Sequence, residues 1–326
     1  MSSLETLWKH FKGEKNMSRS LTGCSRKNKA KPNVFFEVTE KHLAVEVNQP
    51  VDLVKGDFAV LKTRADALAK SGAYADAIQR YHCALQMNSR DGETWNNVGY
   101  CYARLGDWER ALHAYQKAHQ LLPKSGHVMV NLGMALQKLG RVAETLKWWN
   151  KALSSFPEDG EMWNNLGYCW LQLGDHHKAT VCFSKAARYL PDDPGVLSNL
   201  AFSLFRVGRW LEALDYYDLA LRKNPRDATS YNNAGACLEE AGRYLAALHC
   251  YDRAISLEPQ NTSWLLNKAA CLTKLGRFEE ARIYIDQTLH VQPGCRPAWR
   301  LKAAVCEQTK EYQEAVVCYN KAWGLE

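Results

Sequence analysis

Trp95–Pro123 reads WNNVGYCYARLGDWERALHAYQKAHQLLP. Gly106 can take the left-handed backbone conformation that ends a helix. Pro123 cannot continue one, because its ring lacks an N–H and clashes with the preceding turn. Small residues at Gly99 and Ala111 allow two helices to approach closely, and large ones at Trp95 and Tyr115 fill the remaining space. The stretch predicts a helix, a tight turn, a second helix and a break.

The same unit returns every 34 residues: Gly72, Gly106, Gly140, Gly174, Gly208, Gly242 and Gly276 are evenly spaced, and Lys310 fills the eighth slot. With that glycine numbered position 15, the repeats run 58–91, 92–125, 126–159, 160–193, 194–227, 228–261, 262–295 and 296–326. Position 8 is always Gly or Ala, position 20 is Ala except for Thr145, and position 24 is aromatic except for Ile285. Position 32 is Pro in six repeats, from Pro123 to Pro293. A second period of 68 residues overlies the first: repeats 2 and 4 share WNN-x-GYC (from Trp95 and Trp163), and repeat 6 keeps YNNAGAC at Tyr231–Cys237. Cys101, Cys169, Cys237 and Cys271 share position 10, and Cys182, Cys250 and Cys318 share position 23. Recurrence at fixed helix positions reads as small packing residues kept reduced, not as metal or redox chemistry.

This pattern resembles the tetratricopeptide repeat (TPR) family over residues 58–326. The resemblance implies an all-α, right-handed superhelical solenoid of antiparallel helix pairs. First helices would line a concave groove, the family's usual surface for extended peptides or partner helices. Repeats 1, 7 and 8 depart from the pattern by placing Arg64, Lys268 and Lys302 at position 7, where the central repeats are apolar.

The 326 residues are 46% hydrophobic and carry 42 Lys+Arg against 35 Asp+Glu, a net charge of +7 that argues little for nucleic acid. No apolar run reaches the roughly 18 residues of a membrane span, and the opening residues are too polar for a signal-peptide core. Residues 1–33 read as a basic, mobile arm for which nucleic-acid or membrane contact is the less favoured use. Residues 34–57 read as an N-terminal cap, with β-formers over 34–47 suited to two short strands.

Catalysis finds no motif: there is no phosphate loop, HExxH or nucleophile elbow, and the adjacent His176 and His177 point to different faces of a helix. The expectation is a non-enzymatic scaffold with no cofactor, metal or small-molecule substrate, placed in the cytoplasm. It would bind an extended, acidic or neutral segment of a protein partner. The alternatives are a structural subunit of an oligomer and a regulatory or recruiting arm of an enzyme complex.

The strongest site signal is position 6, which reads Asn97, Asn131, Asn165, Asn199, Asn233 and Asn267 in successive repeats. In TPR folds this position faces the groove, and a carboxamide can bond both the C=O and the N–H of an extended backbone. Helices packed roughly 8–10 Å apart would then offer one amide about every third residue of a chain advancing about 3.3 Å per residue. Position 9 adds an apolar patch (Tyr100, Met134, Tyr168, Phe202), and position 13 adds a positive rim (Arg104, Lys138 and Arg206, with Lys70 and Lys274). A chaperone-type carboxylate clamp is not expected: repeats 1 to 3 supply Lys62 and Asn97 but also Asp66, His127 and Asn131. Trp323 and Leu325, at positions 28 and 30, stand where a further repeat would pack, so self-association or a partner is expected to cover them.

Overall fold

In the computed structural model, which describes residues 57–325, the helix starts keep the 34-residue step throughout. First helices of the repeats are α1 (Phe58–Lys70), α3 (Gly92–Arg104), α5 (Gly126–Lys138), α7 (Gly160–Gln172), α9 (Pro194–Arg206), α11 (Ala228–Glu240), α13 (Thr262–Lys274) and α15 (Arg296–Gln308). Second helices are α2 (Tyr74–Met87), α4 (Trp108–Leu121), α6 (Val142–Ala152), α8 (His176–Tyr189), α10 (Trp210–Lys223), α12 (Tyr244–Leu257), α14 (Phe278–Val291) and α16 (Tyr312–Trp323). No strand occurs among the described residues. The basic arm over 1–33 and the strands expected over 34–47 lie outside them, as does the cap over 34–57 apart from Asp57.

Local chemistry explains each boundary. Gly106, at φ 80°, follows α3; its N–H donates to Ala103 C=O at 3.0 Å and the Asp107 N–H to Tyr102 C=O at 2.9 Å, so the helix's last carbonyls are satisfied. Lys310 adopts the same conformation at φ 66°, the sole non-glycine to do so among the described residues. Position 34 caps the next first helix: Asp91, Ser125, Asp159, Asp193, Asp227 and Asn261 each accept a backbone N–H from the first turn. The position-4 indoles of Trp95, Trp163 and Trp299 reach back across the break and donate to the position-32 carbonyls of Ser89, Pro157 and Pro293 at 2.8–3.1 Å.

The two helices of a repeat meet at position 8. A Cβ placed on Gly99 would lie 2.6 Å from the Tyr115 ring, and one on Gly167 would lie 2.7 Å from Phe183. The facing aromatics are buried, so neither ring can swing into solvent to make room. Successive first helices also bring their backbones close to one another across repeats, whereas second helices meet only through side chains, as where His119 of α4 and Trp148 of α6 lie edge-on at 4.7 Å. First helices therefore form a row in which neighbouring backbones stay close at all junctions but one. The exception falls between α5 and α7, which meet through larger side chains beside α6, at 11 residues the shortest helix described.

Gly167→Val is expected to lower stability by about 1–3 kcal/mol, because the added carbons overpack the Phe183 ring. Phe183→Leu in the same chain should recover part of the loss. Thermal melts of the two single variants and the double variant would detect this non-additivity; simple addition would show that the two residues do not press on each other.

Candidate functional site

The position-6 carboxamides divide into two sets. Asn131 Nδ2 donates to Asn96 Oδ1 at 2.9 Å, Asn199 to Asn164 at 3.0 Å, and Asn267 to Asn232 at 2.8 Å. Each bond joins the first helix of an odd repeat to the first helix of the even repeat before it. These bonds account for the 68-residue period, since the doubled Asn of repeats 2, 4 and 6 supplies an acceptor at position 5. Sequence reasoning assigned a role to the second Asn of each pair and missed the first. The doubling itself was the available signal.

The remaining amides differ. Asn97 donates to Asp66 Oδ1 at 3.1 Å, and Tyr81 OH donates to the same oxygen at 2.5 Å. Asn233 Oδ1 accepts from Asn232 at 3.3 Å. Asn165 is half-buried and makes no side-chain hydrogen bond among the described residues. The preceding repeat has Val130 at position 5, which offers no side-chain acceptor.

Positions 9 and 13 build one structure with position 17 of the preceding repeat. The Arg104 guanidinium lies 5.2 Å over the Tyr74 ring and donates to Tyr100 OH at 3.0 Å, while Tyr74 and Tyr100 meet edge-on at 6.2 Å. Lys138 lies 5.6 Å over Trp108. Partial burial holds its ammonium below the usual lysine value. Arg206 lies 5.9 Å from the Phe202 ring and 3.1 Å from His176 Nε2. Burial, then Arg206, lowers the His176 pKa, which keeps that imidazole neutral near pH 7 and able to accept from the guanidinium. The cations of α3, α5 and α9 thus sit on the first residues of α2, α4 and α8, and all three are exposed. Met134, Tyr168 and Phe202 are half-buried, with Met134 against the cluster of Leu146, Trp149 and Met162. Lys274 sits apart, paired with the buried carboxylate of Glu239 at 2.9 Å.

Other candidate groups are occupied in packing. Lys62 pairs with Asp91 at 3.2 Å and Glu93 at 2.9 Å, away from any clamp role. Burial pushes the thiols of Cys101, Cys169 and Cys250 up to about 12 and that of Cys182 up to about 11, so they stay protonated and unreactive. Burial raises the thiols of Cys306, to about 11, and Cys318 as well, but here the ligand atoms of two thiols and the Glu314 carboxylate converge in the last repeat. The sequence signal for that was Cys306 standing at position 11, where the other repeats carry Leu, Tyr or Trp.

The paired substitutions Asn96→Ala and Asn131→Ala are expected to couple by about 0.5–1.5 kcal/mol, the worth of one intramolecular hydrogen bond. Asn165→Ala should leave stability within a few tenths of a kcal/mol. Urea unfolding of the three variants and the Asn96/Asn131 double variant measures both. A zero coupling would show that the carboxamides do not hold the repeats together.

Comparison with known proteins agrees with this architecture. A family model described as Cilia and flagella-associated protein 70 C-terminal domain matches residues 58–282, and a tetratricopeptide repeat model matches residues 274–323. No curated protein matches in sequence. Among solved structures, the C-terminal part of a TPR repeat-containing protein from Cytophaga hutchinsonii aligns with a TM-score of 0.61 at 18% identity, covering 73% of this chain and 97% of that one. PilF of Pseudomonas aeruginosa aligns at 0.55 and 21%, covering 67% and 100%. YrrB, described as a TPR protein with an unusual peptide-binding site, aligns at 0.50 and 20%, covering 57% and 96%. At such identities the likeness shows the fold, a TPR solenoid, whose general use is as a non-catalytic scaffold for protein–protein interaction. No helix among the described residues is long and apolar enough to cross a membrane. With more than half of its residues matched by one model, the chain belongs to the TPR family described as the cilia and flagella-associated protein 70 C-terminal domain.

Proposed function

We propose that the array is a non-enzymatic scaffold that holds an extended segment of a partner protein along its first helices, centred on repeats 3 and 4. The observation that carries this reading is Asn165. Its carboxamide is half-buried without a partner, where three of its counterparts are bonded to a neighbouring helix. Tyr168 follows three residues later on the same helix, so an apolar side chain and a free amide share one face. Bonding to peptide backbone gives affinity without reading sequence, while the half-buried Tyr100, Met134, Tyr168 and Phe202 select apolar side chains. The exposed Arg104, Lys138 and Arg206 favour acidic or neutral segments, and binding weakens with salt. The description of YrrB as having a peptide-binding site supports such a use of a similar fold. The family's description favours a partner within a ciliary or flagellar assembly. Eight buried cysteines suit a reducing compartment, the cytoplasm. Recruiting a substrate for an enzyme complex would employ the same groove.

Peptides selected against the intact chain from a random display library provide the test. Asn165→Ala should weaken the selected peptide by about 0.5–1.5 kcal/mol, and adding Tyr168→Ala should weaken it further. The melting temperature should stay that of the wild type in Asn165→Ala. Selected peptides that are mainly basic, or that bind both variants as tightly as the wild type, would defeat the reading.

A second reading concerns the face of α16. Tyr312, Val316, Tyr319 and Trp323 follow one helical stripe, along which Trp323 is 61% exposed and stacked on Tyr319 at 5.5 Å; beyond it Leu325 is 70% exposed. At position 28, the place of Trp323, Leu85, Leu153, Leu221 and Leu289 are buried in their repeats. A second copy of the chain covering this face is the occupant favoured. Sedimentation of the wild type should then show a concentration-dependent dimer that Trp323→Glu with Leu325→Glu abolishes. A wild type monomeric at every concentration would rule this out.

A further inference from the structure

The last repeat brings two thiols and a carboxylate together. Cys306 lies on α15, while Glu314 and Cys318 lie one turn apart on α16, at the i, i+4 spacing that places side chains on one face. The two sulfurs and a Glu314 oxygen all lie within 4.8 Å of one another. A tetrahedral Zn²⁺ with bonds of about 2.3 Å to sulfur holds its two sulfurs about 3.8 Å apart. Side-chain adjustments of under about 1 Å would therefore close the site.

A second, independent observation concerns volume. Where position 23 is Cys in other repeats, position 11 is large: Trp170 packs against the cluster that holds Cys182 in repeat 4, and Leu238 stands at position 11 where repeat 6 has Cys250. Repeat 8 is the one that carries cysteine at both places, where packing alone would call for a large residue at one of them. The surrounding charges fit as well. Two thiolates and one carboxylate around a divalent cation sum to a single negative charge. The Arg282 guanidinium stands 3.9 Å from Cys306 Sγ, held there by Thr309 Oγ1 at 3.0 Å and by Glu311. Lys302 lies 3.6 Å from Glu314 but only 2.9 Å from Asp286, so it keeps a partner if Glu314 turns toward a metal. Such cations around a thiolate-rich centre are the outer partners that orient ligands and balance their charge.

We propose that Cys306, Cys318 and Glu314 form a binding site for a thiophilic divalent cation, Zn²⁺, with one water completing the tetrahedral shell. On binding, each thiol releases its proton to solvent as a Zn–S bond forms. The metal ties α15 to α16 and closes the terminal hairpin. Nothing in the groove reading is required for this.

The test uses the full chain, reduced and stripped with a chelator, with Co²⁺ alone as the probe. One equivalent should produce a thiolate-to-cobalt charge-transfer band, raise the melting temperature, and be displaced by Zn²⁺. Cys306→Ser with Cys318→Ser should abolish the band, whereas Cys24→Ser with Cys83→Ser and Cys295→Ser should keep it. Because serine at buried positions can disturb folding, Glu314→Gln, at an exposed residue, gives the second arm and should weaken Co²⁺ binding at least about tenfold with an unchanged metal-free melting temperature. The absence of a charge-transfer band, its persistence in the Cys306/Cys318 variant, or full affinity in Glu314→Gln would each overturn the proposal.

Discussion

The array depends first on the contact between a minimal side chain at position 8 and a large one at position 24, a ring in every repeat but the seventh, where it is Ile285. The Gly99–Tyr115 and Gly167–Phe183 approaches leave no space for even one further carbon. That contact fixes the distance between the two helices of a repeat, and with it the surface each repeat offers to the next. Repeats 1, 5 and 8 use Ala65 with Tyr81, Ala201 with Tyr217 and Ala303 with Tyr319 in the same places, so alanine is the largest residue that stands at position 8. Because each repeat touches only its neighbours, small differences of this kind accumulate along the array instead of being averaged over one core.

Between repeats a different interaction dominates. The carboxamide bonds Asn131–Asn96, Asn199–Asn164 and Asn267–Asn232 bind the repeats in pairs, and the backbones of the first helices draw apart at one of the junctions that lack such a bond, between α5 and α7. There Val130 replaces the acceptor, and Trp149 Nε1 donates to the Val130 carbonyl at 3.0 Å, so that the ring packs within its own repeat. The junction that follows rests on Met129, Leu153, Met162 and Trp163. Methionine and tryptophan fill irregular gaps without fixing one geometry as hydrogen bonds do. The same substitution that loosens this step leaves Asn165 without a neighbour, which links the mechanics of the array to its binding face.

How much of this was legible beforehand follows from where the information lies. The helices, turns and their register could be read from Gly at position 15, Pro at position 32 and the small–large alternation, because each acts within a few residues. The position-34 caps are equally local but went unread between two stronger signals. The asparagine column was visible as a column. What could not be read was its division, since a carboxamide gives no sign of whether its partner lies on the next helix or on another molecule. Only the distance from Asn131 to Asn96, set by helices 35 residues apart in sequence, decides that. The cations at position 13 were legible as charge, but their seats over Tyr74 and Trp108 depend on how far each repeat is rotated relative to the last.

The lysines at position 7, which looked like irregularities at the end of the array, have a cross-repeat role. Lys268 pairs with Asp252 and donates to Tyr284 OH at 2.5 Å, and Lys302 pairs with Asp286 at 2.9 Å. Both acceptor aspartates stand at position 25 of the preceding repeat. Burial alone would lower the Lys268 pKa, but Asp252 and Tyr284 outweigh it and hold the ammonium above its ordinary value. A half-buried ion pair adds little net stability, because desolvation offsets most of the attraction. Its larger effect is on alternatives. Stacked on repeat 3, whose position 25 is Asn150, or on repeat 4, with Ser184, either lysine would be desolvated without a counter-charge. Repeats 7 and 8 therefore suit a predecessor with Asp at position 25, as Asp218, Asp252 and Asp286 supply in repeats 5 to 7, and not repeat 3 or 4. Such selectivity matters in a chain whose units are similar enough to pair wrongly while folding.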